Sequence, residues 1–537
     1  MDFLKHVPKG FTLRPEQDYI LRELSENWDN SDTFLIDAPV GVGKSLIAMT
    51  VGNALKSAHI LTPKKSLQEQ YHASFPATTS VIVGRANYPC LYEAPERSRD
   101  VMSRIEDGKM PKRFMGLTCA SEKRHCSEGL VAKRECYDKI GVPCPFDYAI
   151  EVAQKSPIVL HNITGFCFHA AMHGKFEQRE VLVVDEAHVL PGILREVGAY
   201  TGVFTEEEAE RIGIGSEEHF DLASLSQTLE GINHDRRVLD KAEAPSLNVR
   251  KGYATMTHVG SGKYRLKVTS CLPSMYYKHF VEPFGNKRIL MTGSVANSDQ
   301  FLRWFNLTGG DVHSITVEDS PFPVSNREIK VPMHLTTDMS YGNRPRCWEQ
   351  AAKNIQTLMD GHRGERGVVH TNSYAFSRFL AETLKDPRCV IPLDGREHKP
   401  LFEKFMEGGG DGVFFSPAIS EGVDLKDDLA RFQIIPTLSF PPLSGFLKAI
   451  KTNYPGSEHS VSHREVALTL MQQTGRVVRH GEDFGVTYVL DSRLKRHLTL
   501  GMNSEYYPSW FIEAVRVQLT EGGKEISLGR WMQLASR

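Results

Sequence analysis

Two short apolar runs, far apart in the chain, each end in a cluster suited to phosphate chemistry. Phe34-Leu35-Ile36-Asp37 leads into Ala38-Pro39-Val40-Gly41-Val42-Gly43-Lys44-Ser45, and Val181-Leu182-Val183-Val184 leads into Asp185-Glu186-Ala187-His188. Strands of one parallel sheet present their carboxyl ends on a common edge, where nucleotides bind. The pair therefore points to an α/β fold holding ATP and Mg²⁺.

The first cluster follows the pattern G-x-x-x-x-G-K-[ST] with Ala38 in place of the first glycine. Gly41 and Gly43 allow the backbone N–H groups to turn inward around phosphates. Lys44 is placed to reach the β- and γ-phosphates and Ser45 to ligate Mg²⁺. Residues 45–56 read as a helix whose N-terminus adds favourable dipole charge. Asp185 and Glu186 supply the two carboxylates hydrolysis needs, Asp185 on the metal and Glu186 on the attacking water. Taken alone, the acidic pair would also suit a helix cap.

A chain of 537 residues is too long for one core, so several domains are expected. A hydrophobic content of 40% and a charged content of 24% fit a globular protein. Neither an apolar leader after Met1 nor an uncharged apolar stretch of membrane-spanning length is visible, so a cytosolic location is expected. A net charge of −2 gives no overall sign of nucleic-acid binding, and any such surface must be local.

The second half repeats the α/β pattern. Phe432-Gln433-Ile434-Ile435 and Gly485-Val486-Thr487-Tyr488-Val489-Leu490 read as strands, as do residues 80–83, 158–160, 288–291 and 367–370. In Gln472-Gln473-Thr474-Gly475-Arg476-Val477-Val478-Arg479, helical spacing predicts Gln472, Arg476 and Arg479 on one face. Two arginines there could stabilise developing phosphate charge, although the segment alone also reads as a solvated basic face.

In this order the elements resemble the XPD/DinG-like branch of the superfamily 2 helicases. Arg14-Pro15-Glu16-Gln17 resembles the adenine-reading Q motif, Ala38–Ser45 motif I, Leu61–Leu67 motif Ia and Asp185–His188 the DEAH form of motif II. Val368–Tyr374 resembles motif IV, Ser420–Asp424 motif V and Gln472–Arg479 motif VI. Met291-Thr292-Gly293-Ser294 stands where the family usually has Ser-Ala-Thr, a departure that bears on ATP-to-DNA coupling. The resemblance implies two RecA-like domains with parallel sheets, an iron–sulfur insertion and a helical arch insertion in the first domain. The implied boundaries are 1–84, 151–199 and 281–315 for the first domain, 85–150 for the cysteine insertion, 200–280 for the arch and 316–537 for the second domain. It also implies a nucleotide site of Arg14, Gln17, residues 38–45, Asp185 and Asp424, with Glu186, Lys44, Gln472, Arg476 and Arg479 acting in hydrolysis and His188 linking the site to the second domain.

Five of the 9 cysteines fall between residues 90 and 144. Reduced thiols so clustered suggest a metal or redox site. Gly84–Cys90 resembles the family's lead into its [4Fe–4S] cluster and Cys144-Pro145-Phe146 its exit. The ligand set taken is Cys90, Cys126, Cys136 and Cys144, with Cys119 as the alternate. Zinc and a metal-free insertion stay open, although no pair shows the C-x₂-C spacing of zinc ribbons. Lys109, Lys112 and Arg113 around Phe114 suit a single strand, with phosphates on the cations and a base on the ring; a solvated loop is the other reading.

The expected function is ATP-driven translocation on single-stranded DNA, with unwinding of junctions from a 5′ tail by a monomer. An RNA-directed DEAH ATPase and a metal-dependent nucleic-acid-binding module with little turnover are the rival readings. No separate exonuclease-like carboxylate constellation stands outside the motor motifs.

Overall fold

The computed structural model describes residues 1–84, 87–89, 98–106, 141, 143–172, 174–213, 219–221, 251–308, 312–343, 346–417, 425–499 and 504–535. Cys90, Cys119, Cys126, Cys136, Asp424, the basic stretch 109–125 and the segment Leu222–Ala244, read as helical, lie outside them. No helix among the described residues is long and apolar enough to cross a membrane.

The first sheet contains β1 (Thr33–Asp37), β2 (Ala58–Thr62), β3 (Thr79–Ile82), β4 (Ile158–Asn162), β5 (Arg179–Val184), β10 (Gly285–Thr292) and β11 (Val312–Thr316). Its order is β11-β1-β10-β5-β2-β4-β3, and every pairing is parallel. Parallel strands are covered on both faces, which is why these segments read as near-continuous apolar runs. Phe34, Leu35, Ile36 and Val181–Val184 are fully buried. The order sets β1, β10 and β5 side by side, so Asp37, Thr292 and Asp185 share one carboxyl edge. Two backbone bonds lock that edge, Ala38 N–H to the Thr292 carbonyl at 3.1 Å and Asp185 N–H to the Leu61 carbonyl at 2.9 Å.

The second sheet contains β12 (Ile329–Pro332), β13 (Gly367–His370), β14 (Cys389–Val390), β15 (Val413–Ser416), β16 (Phe432–Ile435), β17 (Val486–Val489), β18 (Val515–Gln518) and β19 (Glu525–Ser527). Its order is β14-β15-β13-β16-β17-β12-β18-β19, parallel except for the β18–β19 edge. The fold is therefore two mainly parallel α/β sheets, as the motif order predicts.

The described residues of the stretch 200–280 depart from the expected helical arch. They form a four-stranded antiparallel sheet, β6-β9-β8-β7, from β6 (Tyr200–Thr205), β7 (His219–Asp221), β8 (Lys251–His258) and β9 (Lys263–Ser270). Helices Glu206–Ile212 and Ser274–Phe280 flank it. Alternation decides the outcome: Ala254, Met256, Leu266 and Val268 point into a small core with Tyr200 and Phe204, while Lys263 and Arg265 face outward. A tight turn at Gly260-Ser261-Gly262, all at positive φ, joins β8 to β9. The acidic run does open a helix, with Thr205 and Glu208 forming a reciprocal cap.

The insertion leaves the first sheet after helix Leu190–Val197 and returns through Ser274–Phe280, and its two ends meet. The Tyr276 ring lies against Gly198, so that a β-carbon there would stand 2.3 Å from the ring. The Tyr276 hydroxyl accepts the Ser270 N–H at 3.1 Å. Gly198→Ala should therefore destabilise the protein by about 1–3 kcal/mol through overpacking. Urea unfolding checks this, and an unchanged midpoint would show that the ring yields freely.

Candidate nucleotide site between the two sheets

The phosphate loop owes its shape to two left-handed glycines, Gly41 at φ +94 and Gly43 at φ +84, a region costly for other residues. Helix Lys44–Leu55 starts directly behind Gly43. The Lys44 ammonium donates to the carbonyls of Ala38 at 2.9 Å and Pro39 at 3.3 Å, drawing the loop closed around it. Outside the loop, Gln17 is buried and donates to the carbonyls of Val42 at 2.8 Å and Gly43 at 3.3 Å, while its carbonyl oxygen accepts the Arg14 N–H at 2.9 Å. The Arg14 guanidinium donates to the Gly41 carbonyl. The Q-motif residues thus brace the loop backbone. Phe322, which no motif contains, packs against it too: a β-carbon on Gly41 would lie 2.1 Å from the ring.

Asp185 and Glu186 stand at the tip of β5, Glu186 in the left-handed region at φ +53. One Asp185 oxygen accepts the Glu186 N–H at 2.9 Å and the other accepts the Tyr71 hydroxyl at 2.8 Å. Burial and the neighbouring Glu186 charge raise the Asp185 carboxyl above its ordinary value, against the pull of Lys44. Ser45 lies near the same phenol. Ser45 and Asp185 are oxygen donors, the chemistry Mg²⁺ requires.

His188 links the two sheets. Thr292 Oγ1 donates to the Ser294 carbonyl at 3.0 Å and so accepts from His188 Nδ1, also at 3.0 Å. Glu186 Oε2 lies 3.3 Å from the same nitrogen. The other ring nitrogen then accepts from the Gln472 carboxamide, which reaches across from helix Ser457–Thr474.

The arginines reach the site differently from the expected helical face. The helix ends at Thr474 and Gly475 caps it, so Arg476 and Arg479 belong to the loop beyond. That loop is fixed by buried Asp483, which accepts the Arg479 N–H at 3.0 Å and the Arg431 guanidinium at 3.0 Å. Arg476 and Arg479 nonetheless line one cavity of about 200 Å³ with Val40, Glu186, His188 and Gln472. Sheet geometry and a capped turn bring together what periodicity had assigned to a helix.

Sequence reasoning missed Asp37. It is half-buried at the end of β1, beside the Val295 N–H and in the field of Lys44, His188 and Arg464. Desolvation raises its carboxyl to about 6. A carboxylate closing an otherwise apolar strand was the available signal.

Two parallel sheets facing each other across such a cavity define a two-lobed nucleotide-dependent motor fold. Residues 10–213 match the family described as type III restriction enzyme, res subunit, and residues 355–510 match the helicase C-terminal domain. The ATP-dependent DNA helicase YoaA of Escherichia coli is 23% identical over 91% of this chain and 93% of its own length. YoaA of Haemophilus influenzae is 20% identical over 90% and 92%. A probable ATP-dependent helicase of Methanocaldococcus jannaschii is 23% identical over 42% of this chain and only 37% of its own length. Among solved structures, an XPD helicase superposes with a TM-score of 0.59 at 16% identity, covering 90% of this chain and 96% of that one. S. tokodaii Xpd4 follows at 0.55 and 13%, covering 94% and 100%. Together these likenesses support an XPD/DinG-like superfamily 2 helicase.

Asp37 carries a pH signature. A carboxyl raised from 3.8 to about 6 contributes stability that is full below pH 4 and is lost as pH rises through 6. Asp37→Asn should therefore stabilise the protein at pH 7.5, by up to about 3 kcal/mol, with the gain vanishing near pH 4. Thermal melts across that range test this; a gain that does not change with pH would assign it to packing.

Proposed function

We propose that the chain is an ATP-dependent DNA helicase that translocates on single-stranded DNA in the 5′ to 3′ direction. The observation that carries this reading is the relay Thr292–His188–Gln472, which joins the two sheets beside Lys44, Glu186 and the arginine pair. A site so divided responds to nucleotide by changing how the two halves meet, which is what a motor needs.

Lys44 leaves its loop carbonyls for the β- and γ-phosphates, and the loop N–H groups take the remaining oxygens. Glu186, beside the cavity, orients and deprotonates the attacking water. Arg476 and Arg479 stabilise charge developing on the transferred phosphoryl. Gln472 and His188 sense whether the cleft is closed around it. Ser45 and Asp185 would hold Mg²⁺, which neutralises phosphate charge when bound. Arg14 and Gln17 support adenine recognition through the loop they brace, and the reading keeps Asp424 as a nucleotide-binding residue.

Glu186→Gln should keep ATP binding while turnover falls by a factor on the order of 10² or more. The function itself is tested by strand displacement on 5′-tailed and 3′-tailed duplexes in DNA and RNA versions. Unwinding of the 5′-tailed DNA duplex is expected. Activity only from 3′ tails would reverse the polarity, activity only on RNA would favour the DEAH RNA ATPase, and ATP turnover unaffected by either strand would favour a binding module.

The reading includes a [4Fe–4S] cluster on Cys90, Cys126, Cys136 and Cys144, with Cys119 as the alternate. Cys144 is the described member of the set, half-buried at the start of helix Pro145–Lys155. Protein purified anaerobically should be brown, hold about four irons per chain and be bleached by Cys144→Ser. Stoichiometric zinc without colour would replace the cluster by a zinc site.

A further inference from the structure

Tyr71 belongs to no nucleotide motif, yet its hydroxyl touches the metal carboxylate. The ring sits on helix Lys65–Ser74 with 1% of its surface exposed, and the hydroxyl donates to Asp185 Oδ2 at 2.8 Å. Resting on the nucleotide-site reading above, we propose that Tyr71 is a positioning residue that orients Asp185 toward the divalent cation of a metal–nucleotide complex.

Three observations carry this. A fully buried phenol oxygen demands partners, and an apolar side chain would fill the same core position without that demand. Here the partner is the expected metal carboxylate, which lies on a different element. The opposite carboxylate oxygen is held by the Glu186 N–H at 2.9 Å, so the phenol is the second of two clamps fixing the plane of the carboxylate. Finally, the ring's own position is set independently of the site. Gln68, one turn earlier and also fully buried, donates to the carbonyls of Ile82 at 3.0 Å and Leu160 at 3.2 Å, tying the helix to β3 and β4. Lys65 donates to Asn87 at 3.0 Å, tying its first turn to the residues that lead into the cysteine insertion. A phenol anchored from behind and bonded to the carboxylate in front has the geometry of an outer-shell orienting group.

Tyr71→Phe removes one oxygen and keeps the ring. It should raise the Mg²⁺ concentration for half-maximal ATP hydrolysis about tenfold, leaving kcat at saturating Mg²⁺ within about threefold of wild type. Mn²⁺ affinity, measured by electron paramagnetic resonance with a non-hydrolysable ATP analogue, should weaken by a similar factor. Tyr71→Leu, which also fills the core without an oxygen, should weaken it in the same direction and guards against a folding defect peculiar to one variant. Unchanged metal affinity in both variants, or a loss of kcat with metal affinity intact, would overturn the proposal. A wild-type protein that neither hydrolyses ATP nor binds Mn²⁺ with the analogue would instead overturn the nucleotide-site reading, and the proposal with it.

Discussion

The phosphate loop is folded around its own lysine, and the rest of the site is arranged with respect to that loop. An ammonium donating to two carbonyls of the loop it belongs to holds seven residues in one compact turn. Gly41 and Gly43 make the turn sterically possible, Arg14 and Gln17 support it from outside, and Phe322 closes over Gly41. Because β1 pairs with β10, and β10 with β5, the turn's position also fixes where Thr292 and Asp185 stand. Only then does the reach of Gln472 to His188 become meaningful as a link between halves.

The site concentrates opposed charges with little water around them. Asp37, Asp185 and Glu186 gather with Lys44 in the first half, and Arg476 and Arg479 line the same cavity as Glu186 from the second. Buried carboxyls resist ionisation, and the upward shift at Asp37 and Asp185 measures that resistance. Stability is given up locally for an arrangement complementary to a triphosphate and its cation, as functional sites commonly require.

The nucleotide motifs were legible because parallel strands, buried on both faces, leave uninterrupted apolar runs, and because a phosphate loop tolerates few residue choices. Arg476 and Arg479 were legible as residues and misread as geometry: Gly475 ends the helix before either, and periodicity carries no information past a cap. The insertion was misread for the opposite reason. Its two-residue alternation at 251–258 and 263–270 was present, and the expectation of an arch outweighed it. Tyr71 left no local trace of its role. Tyr71 meets Asp185 across 114 residues of chain, a contact created by the sheet order alone. Cys90, Cys119, Cys126, Cys136 and Asp424 lie outside the described residues, so for them the reading rests on sequence alone.

The antiparallel insertion is rooted in the first half but rests on the second. Tyr253 of β8 and Cys271 join Trp304 and residues Leu447, Ala449, Ile450 and Val461 in one apolar seam, and the Lys251 ammonium lies 4.5 Å above the Tyr454 ring. The Asn453 carboxamide also donates to Cys271 Sγ at 4.0 Å across it. Parting the halves would uncover this apolar surface to water, which is unfavourable. The insertion therefore holds the two halves together at a place remote from the nucleotide, an attachment that neither sheet supplies by itself.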